Sequence, residues 1–421
     1  MLARFEVSNF RSIADPVEIS LVAIDIEREA ARGVSSLGEH LLTRAAVYGS
    51  NASGKSNVLA ALVWLVDAVQ NSLRAWDDEI PLEPFAFDHR KDEPTEFTVD
   101  FVVDGVRFEY LLEAKRDGVV REELHHYPEG RARRVFERTG DDVTFHRSLG
   151  SGGPFVELLT PTTLLLSLAR RFDLPDAARF ANVFVRTQAF GKLPSRSNIS
   201  SPMSNVPTTK IFDDPTNRDD QPSLFGDDLP DRRTQALDLL RLADLGIADV
   251  VVEEKEILMG RERRAGVRRR PVLLHETAQG AMPLDLSQES EGTRTWFALI
   301  APVLEALNTG APVVFDELDA SLHPVLSAEL IKIFHDQRTN PRGAQLIFST
   351  HDTSLLTHLN RDEVWLTQKR PDGSTELGAL ADFAGERVRK SANLESAYLH
   401  GRYGAIPEID PTRLRSLGLS G

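Results

Sequence analysis

The 421-residue chain contains no cysteine, which excludes disulfides, thiolate zinc sites and a cysteine nucleophile together. No stretch approaches the roughly 18 to 20 uninterrupted apolar residues of a membrane span, and Met1-Leu2-Ala3-Arg4-Phe5-Glu6 leads directly into a strand pattern. The chain therefore reads as cytoplasmic, with no membrane partner. Basic residues are the minority, 49 Lys and Arg against 64 Asp and Glu. At a net charge of −15 the surface as a whole repels nucleic acid, so any such contact needs a local basic patch.

What is present begins with Gly49-Ser50-Asn51-Ala52-Ser53-Gly54-Lys55-Ser56, which fits the phosphate-loop pattern G-x-x-x-x-G-K-[ST] at every defined position. Small residues let backbone N–H groups curl around phosphate oxygens, Lys55 supplies a point charge, and the Ser56 hydroxyl can complete a Mg2+ shell. Ala45-Ala46-Val47-Tyr48 reads as a buried strand feeding the loop. The run from Asn57 to Val66 reads as the helix whose N-terminus faces the phosphates. Gly49, Asn51, Ser53, Gly54, Lys55, Ser56 and Asn57 are thus candidate contacts for a nucleotide triphosphate.

The second half of the chain narrows the reading. Ala311-Pro312-Val313-Val314-Phe315-Asp316-Glu317 is an apolar strand ending in two acids, which suits Asp316 near Mg2+ and Glu317 near an attacking water. A second apolar strand, Ala344 to Phe348, ends in Ser349-Thr350-His351-Asp352. Its histidine resembles that of the ABC-class layout, in which a strand-tip imidazole senses the γ-phosphate, although a structural histidine would look the same in isolation. Gln288-Glu289-Ser290-Glu291-Gly292-Thr293 lies just before the helical run Trp296 to Leu307. A hydroxyl at Ser290 and a helix N-terminus near Gly292 make a second anion cradle, similar to the signature segment that one subunit of an ABC-class ATPase presents to the nucleotide held by the other. Taken alone, the segment is also an ordinary helix N-cap.

With these residues in place the chain resembles the SMC-like, RecF/OLD-related ABC ATPases, specifically the AAA-type ATP-binding proteins of bacterial phage-defence and abortive-infection loci. The resemblance starts at Phe5-Glu6-Val7-Ser8-Asn9-Phe10-Arg11-Ser12 and takes in the phosphate loop, residues 289–293, residues 316–324 and residues 349–352. It ends at the tail Gly401-Arg402-Tyr403-Gly404-Ala405-Ile406-Pro407. It implies an α/β P-loop ABC-type ATPase head with an accessory antiparallel β-lobe and a helical lobe. It also implies ATP and Mg2+ as cofactors, Lys55, Glu317 and His351 as catalytic residues, Ser56 and Asp316 on the metal, and Arg11 approaching the nucleotide. The family's Q-loop glutamine has no clear counterpart. Gln188, after Val183 to Val185, is the best placed, and an ordinary surface role fits it better.

Four regions separate by pattern. Residues 1 to about 75 carry the first strands and the phosphate loop. From about 80 to 150, alternation as in Phe97 to Val103 and Val106 to Leu112, with Asp104-Gly105 between, predicts a hairpin-rich sheet. Thr162 to Val185 is helical with a break at Leu174-Pro175. Lys192 to Arg233, rich in Pro, Ser, Asn and Asp, reads as a floppy or partner-binding loop, or a plain linker. The expected organisation is a head in two halves, 1–191 and 234–421, around an insertion at 192–233. The 234 residues from Ser56 to Ser290 show no heptad repeat and leave no room for a long coiled coil. Arg261 to Arg270, with six arginines against one glutamate, is expected to form a hairpin tip at Ala265-Gly266. That tip suits nucleic acid, an acidic protein, or solvent alone.

Three functions follow for comparison. The first is a dimeric ATP-gated sensor or switch controlling a separately encoded effector, as the resemblance implies. The second is a self-contained nuclease, disfavoured because only 70 residues follow His351 and no D-x-D pair occurs. The third, kept as the alternative, is a DNA-repair or DNA-clamp ATPase of RecF or SMC type.

Overall fold

The computed structural model describes residues 1–146, 154–191, 193, 206–213, 231–259, 264–383 and 394–399. Its centre is a six-stranded sheet in the order Gln188–Gly191, Pro312–Asp316, Gln345–Ser349, Arg44–Gly49, Val364–Lys369, Thr375–Ala379. All neighbours are parallel except the last pair. The strands come from both ends of the sequence, and their apolar runs are continuous because both faces are covered. Alternate residues serve different cores. Ala45, Val47, Val314 and Ile347 face one cluster, whereas Ala46, Tyr48, Phe315 and Phe348 face the other.

The first cluster is shared with a seven-stranded antiparallel sheet running from Asp142–Phe145 through Thr95–Val103 to Leu2–Ser8 and Val17–Ser20. The predicted hairpin is there: Thr95–Val103 pairs with Val106–Lys115 across Asp104 and Gly105, both at positive φ as a tight two-residue turn requires. The N-terminal strands, expected to belong with the phosphate loop, instead extend this lobe. Gln345 joins the two sheets: its amide accepts from Leu2 N at 2.5 Å and donates to the carbonyls of Leu2 and Leu42 at 2.8 and 3.0 Å.

The helical region divides as Leu165–Arg171 and Pro175–Phe184, with Pro175 at the start of the second helix, where its missing N–H costs nothing. No local side chain caps the first helix. Glu122, fully buried on the adjacent sheet, does so from 43 positions away, accepting from Leu165 N at 2.7 Å and Leu166 N at 2.8 Å. Burial pushes the Glu122 carboxyl above its ordinary range, against the lowering influence of Arg138.

Part of the Pro-rich insertion is packed, contrary to expectation. Val206–Asp213 forms a helix that buries Ile211 and Phe212, with Phe212 stacked on Phe297 at 6.0 Å. Residues 194–205 and 214–230, and the tail from Gly401 to Pro407, lie outside the described residues. One described helix, Lys55–Ala75, has the length and composition to cross a membrane; it packs inside the first core.

At the base of the central sheet, Arg44 and the fully buried Glu363 form a two-pronged pair, with Arg44 Nη2 donating at 2.8 and 3.0 Å. Arg44 also donates to the His358 carbonyl at 2.9 Å, and Glu363 accepts from Asn360 N at 2.7 Å. Glu363→Ala would leave a buried guanidinium without its charge partner. We expect a loss of about 3–5 kcal/mol in chemical denaturation; a loss below about 1 kcal/mol would show that water or Asp362 takes over the pairing.

Candidate active site

The phosphate loop links the buried strand Arg44–Gly49 to the 21-residue helix Lys55–Ala75. Glycine is needed at both of its ends. A Cβ on Gly49 would lie 2.5 Å from the Thr367 carbonyl oxygen. One on Gly54, where φ is 108°, would lie 2.7 Å from Thr375 Cγ2 and closer still to its hydroxyl. The helix has neither a side-chain cap nor an acid in its first turn, so no side-chain charge offsets the positive end of its dipole at the loop. Gly54→Ala would combine backbone strain with overpacking against Thr375, each about 1–3 kcal/mol. Thermal denaturation should show the loss directly, and an unchanged midpoint would contradict the close approach.

Threonines and serines outside the motif hold the loop from behind. Thr367 Oγ1 shares a hydrogen with Ser53 Oγ at 2.6 Å, and Thr375 Oγ1 donates to the Ser53 carbonyl at 3.0 Å. Asn57 Nδ2 donates to Ser12 Oγ at 2.7 Å, which in turn meets Thr375 Oγ1 at 2.7 Å. Asn57 thus serves the loop's support. Arg11, at φ 52°, stands beside this network, with its guanidinium donating to Glu83 at 3.0 Å and lying 5.2 Å from the Phe10 ring centroid.

Lys55, 5% exposed, donates from Nζ to the carbonyls of Gly49 and Ser50, both at 3.0 Å. Burial pushes its ammonium down to about 8, although Asp316, Glu317 and Asp319 pull it upward. Asp316 ends its strand almost fully buried, and its Oδ1 accepts from Ser56 Oγ at 2.9 Å and Ser349 Oγ at 2.6 Å. Three motifs, one lying 260 residues before Asp316 and another 33 after it, therefore meet at one carboxylate oxygen. Ser349 Oγ also accepts from Glu317 N at 2.8 Å. Glu317 itself has φ 54° and ψ 60°, a left-handed conformation that costs a non-glycine residue about 1 kcal/mol or more. The bend turns Glu317 out of the strand line, so that successive acids leave it in different directions.

His351 follows the neighbouring strand. Its backbone N–H donates to Asp319 Oδ1 at 3.2 Å, and the Thr350 hydroxyl donates to the same oxygen at 2.8 Å. Burial first, and Lys55 second, lower the His351 pKa, favouring a neutral imidazole. Ser349, Asp319, Thr367, Thr375 and Ser12 had no assigned role in the sequence. Ser12, Asp319 and Ser349 lie within the recognised segments and carried that signal, whereas Thr367 and Thr375 carried none.

The donor set suits a triphosphate with a divalent cation. Ser56 and Asp316 supply hard oxygens, and Mg2+ is commonly held by one or two such groups together with substrate phosphates. Among the described residues there is no cluster of three His, Cys, Asp or Glu that could hold a metal unaided.

Ser290 caps the helix Glu291–Thr309, accepting from Thr293 N at 3.1 Å. It is exposed, and a Cβ on Gly292 would meet only Ser290 Oγ, at 3.8 Å. Internal packing thus does not demand glycine at 292. Gln188 begins the edge strand, at the end away from Asp316, and donates to the Arg186 carbonyl at 2.9 Å. Gly191, at the other end of that strand, is the residue beside Asp316: a Cβ there would overlap the Asp316 backbone.

The arginine segment differs from expectation. Strands Ile247–Met259 and Arg264–Thr277 pair through Leu258↔Ala265 and Ile257↔Gly266, so Ala265-Gly266 lies within a strand. Arg261, Glu262 and Arg263 lie outside the described residues. Nor are the arginines all short of counter-charge: Arg269 pairs with Asp213 and Glu254, and Arg270 with Asp285.

No curated protein matches the chain. Among solved structures, the SMC head domain from Thermotoga maritima is similar at 14% identity, covering 90% of this chain and 98% of that one with a TM-score of 0.40. A structure of an SmcHead bound to the C-winged helix domain of ScpA is similar at 14% identity, covering 90% and 97% with a TM-score of 0.38. Over residues 44–357, which contain the phosphate loop, both strand-end acids and His351, the chain belongs to the family described as AAA domain, putative AbiEii toxin, Type IV TA system.

Proposed function

We propose that this chain binds ATP with Mg2+, hydrolyses it, and acts as the dimeric switch subunit of an antiphage defence system that controls a separate effector. The convergence of Ser56, Ser349 and Glu317 N on the Asp316 end of the strand carries the catalytic part. A divalent cation would neutralise phosphate charge there, with Ser56 and Asp316 holding it. Lys55 and the loop amides bind and orient phosphates, Glu317 accepts the proton of the attacking water, and neutral His351 offers a hydrogen bond toward the γ-phosphate. In this reading the segments 1–191 and 234–421 form one head.

Dimerisation rests on Ser290 and Gly292. Both are poised at an exposed helix start where glycine has no internal reason, so a nucleotide held by a second copy fits the space. The defence role rests on the family's description, which names a toxin–antitoxin system. Purified chain should hydrolyse ATP only with Mg2+, and should leave DNA and RNA intact. Phage protection should need both Lys55 and a neighbouring gene product. Nucleic-acid cleavage that tracks the chain's concentration through purification would overturn the switch.

A further inference from the structure

The helix that begins at the phosphate loop ends, about 30 Å away for 21 residues, in a polar cavity of about 260 Å3. It is lined by Arg74 from that helix, by Ser167, Arg170 and Arg171 from Leu165–Arg171, and by Asn71 and Asn182. Arg170 Nε donates to Asn182 Oδ1 at 3.0 Å, which fixes the guanidinium at the cavity wall. In a chain with 15 more acids than bases, three arginines would ordinarily find carboxylates. None of these three has an ion-pair partner among the described residues, and the influences on Arg170 are burial and the repulsion of Arg74. The negative ends of the two helices relieve part of that repulsion. Fork-shaped donors with amide and hydroxyl groups between them suit a tetrahedral oxyanion.

We propose that this cavity is a second anion site, which takes a phosphate or diphosphate group and is separate from the phosphate loop. Its volume lies below the roughly 300–1,000 Å3 of clefts that enclose whole drug-sized ligands. The group is therefore either free or presented by a larger molecule that stays outside.

The test is calorimetric titration of pyrophosphate into full-length chain carrying Lys55→Ala, which removes the loop's ammonium and weakens binding there. We expect a binding event that Arg74→Gln with Arg170→Gln weakens at least tenfold, while Arg74→Lys with Arg170→Lys restores part of it. Circular dichroism confirms that each variant is folded. A parallel titration with a short single-stranded oligonucleotide separates the sources: binding lost with the same variants points to a phosphodiester backbone, and pyrophosphate binding alone to a free phosphate. Absence of pyrophosphate binding, or equal affinity in the Gln pair, overturns the site.

Discussion

Glu317→Gln should lower ATP turnover by about 10²–10⁴-fold while leaving ATP and Mg2+ binding near the parental level. The amide is nearly isosteric, and the substitution keeps the backbone hydrogen bond from Glu317 N–H to Ser349 Oγ. The left-handed bend is likewise a backbone feature and should survive. What disappears is the ability to take a proton from water. A variant that binds but does not turn over should accumulate ATP-loaded dimers, visible by light scattering as an ATP-dependent doubling of mass. Turnover at the parental rate would remove Glu317 from the mechanism. Normal loss of turnover without a change in mass would leave the chemistry standing and remove the sandwich dimer.

Asp316→Asn should act differently, weakening Mg2+-dependent nucleotide binding on the order of 100-fold. Asparagine retains an Oδ1 that can accept from both Ser56 and Ser349, so the hydroxyl network that assembles the strand ends has no reason to collapse. The loss is one of charge at the site where a cation would be held. Nucleotide binding measured with and without Mg2+ isolates it: the variant should match the parent in EDTA and fall behind as Mg2+ is added. If the deficit is the same in EDTA, the carboxylate supports the loop and does not hold metal.

Much of this is legible without any coordinates. The phosphate loop, its strand and its helix stand in a contiguous stretch whose pattern is local, and so do the strand ending in Asp316-Glu317 and the Asp104-Gly105 hairpin. The helix Val206–Asp213 escapes a local reading because Ile211 and Phe212, the apolar pair that it buries, stand in a Pro- and Ser-rich segment; it is burial against Phe297 that makes it a helix worth forming. The arginine hairpin is misplaced by the same kind of reading because Ala-Gly imitates a turn. Pairing with Ile257 and Leu258 sets the register there, and no local pattern specifies it.

The sequence by itself determined which chemistry the chain carries: acids at strand ends, a glycine-lined loop with lysine and serine, and no thiol. Those are covalent facts and short-range spacings. Only the tertiary structure decided that Asp316 would be shared by Ser56 and Ser349, that Thr367 and Thr375 would press against Gly49 and Gly54, and that Glu122 would cap a helix 43 residues on. Each of these depends on which strands become neighbours in the sheet, and strand order is settled by burying two faces of one sheet at once, a constraint that acts on the whole chain.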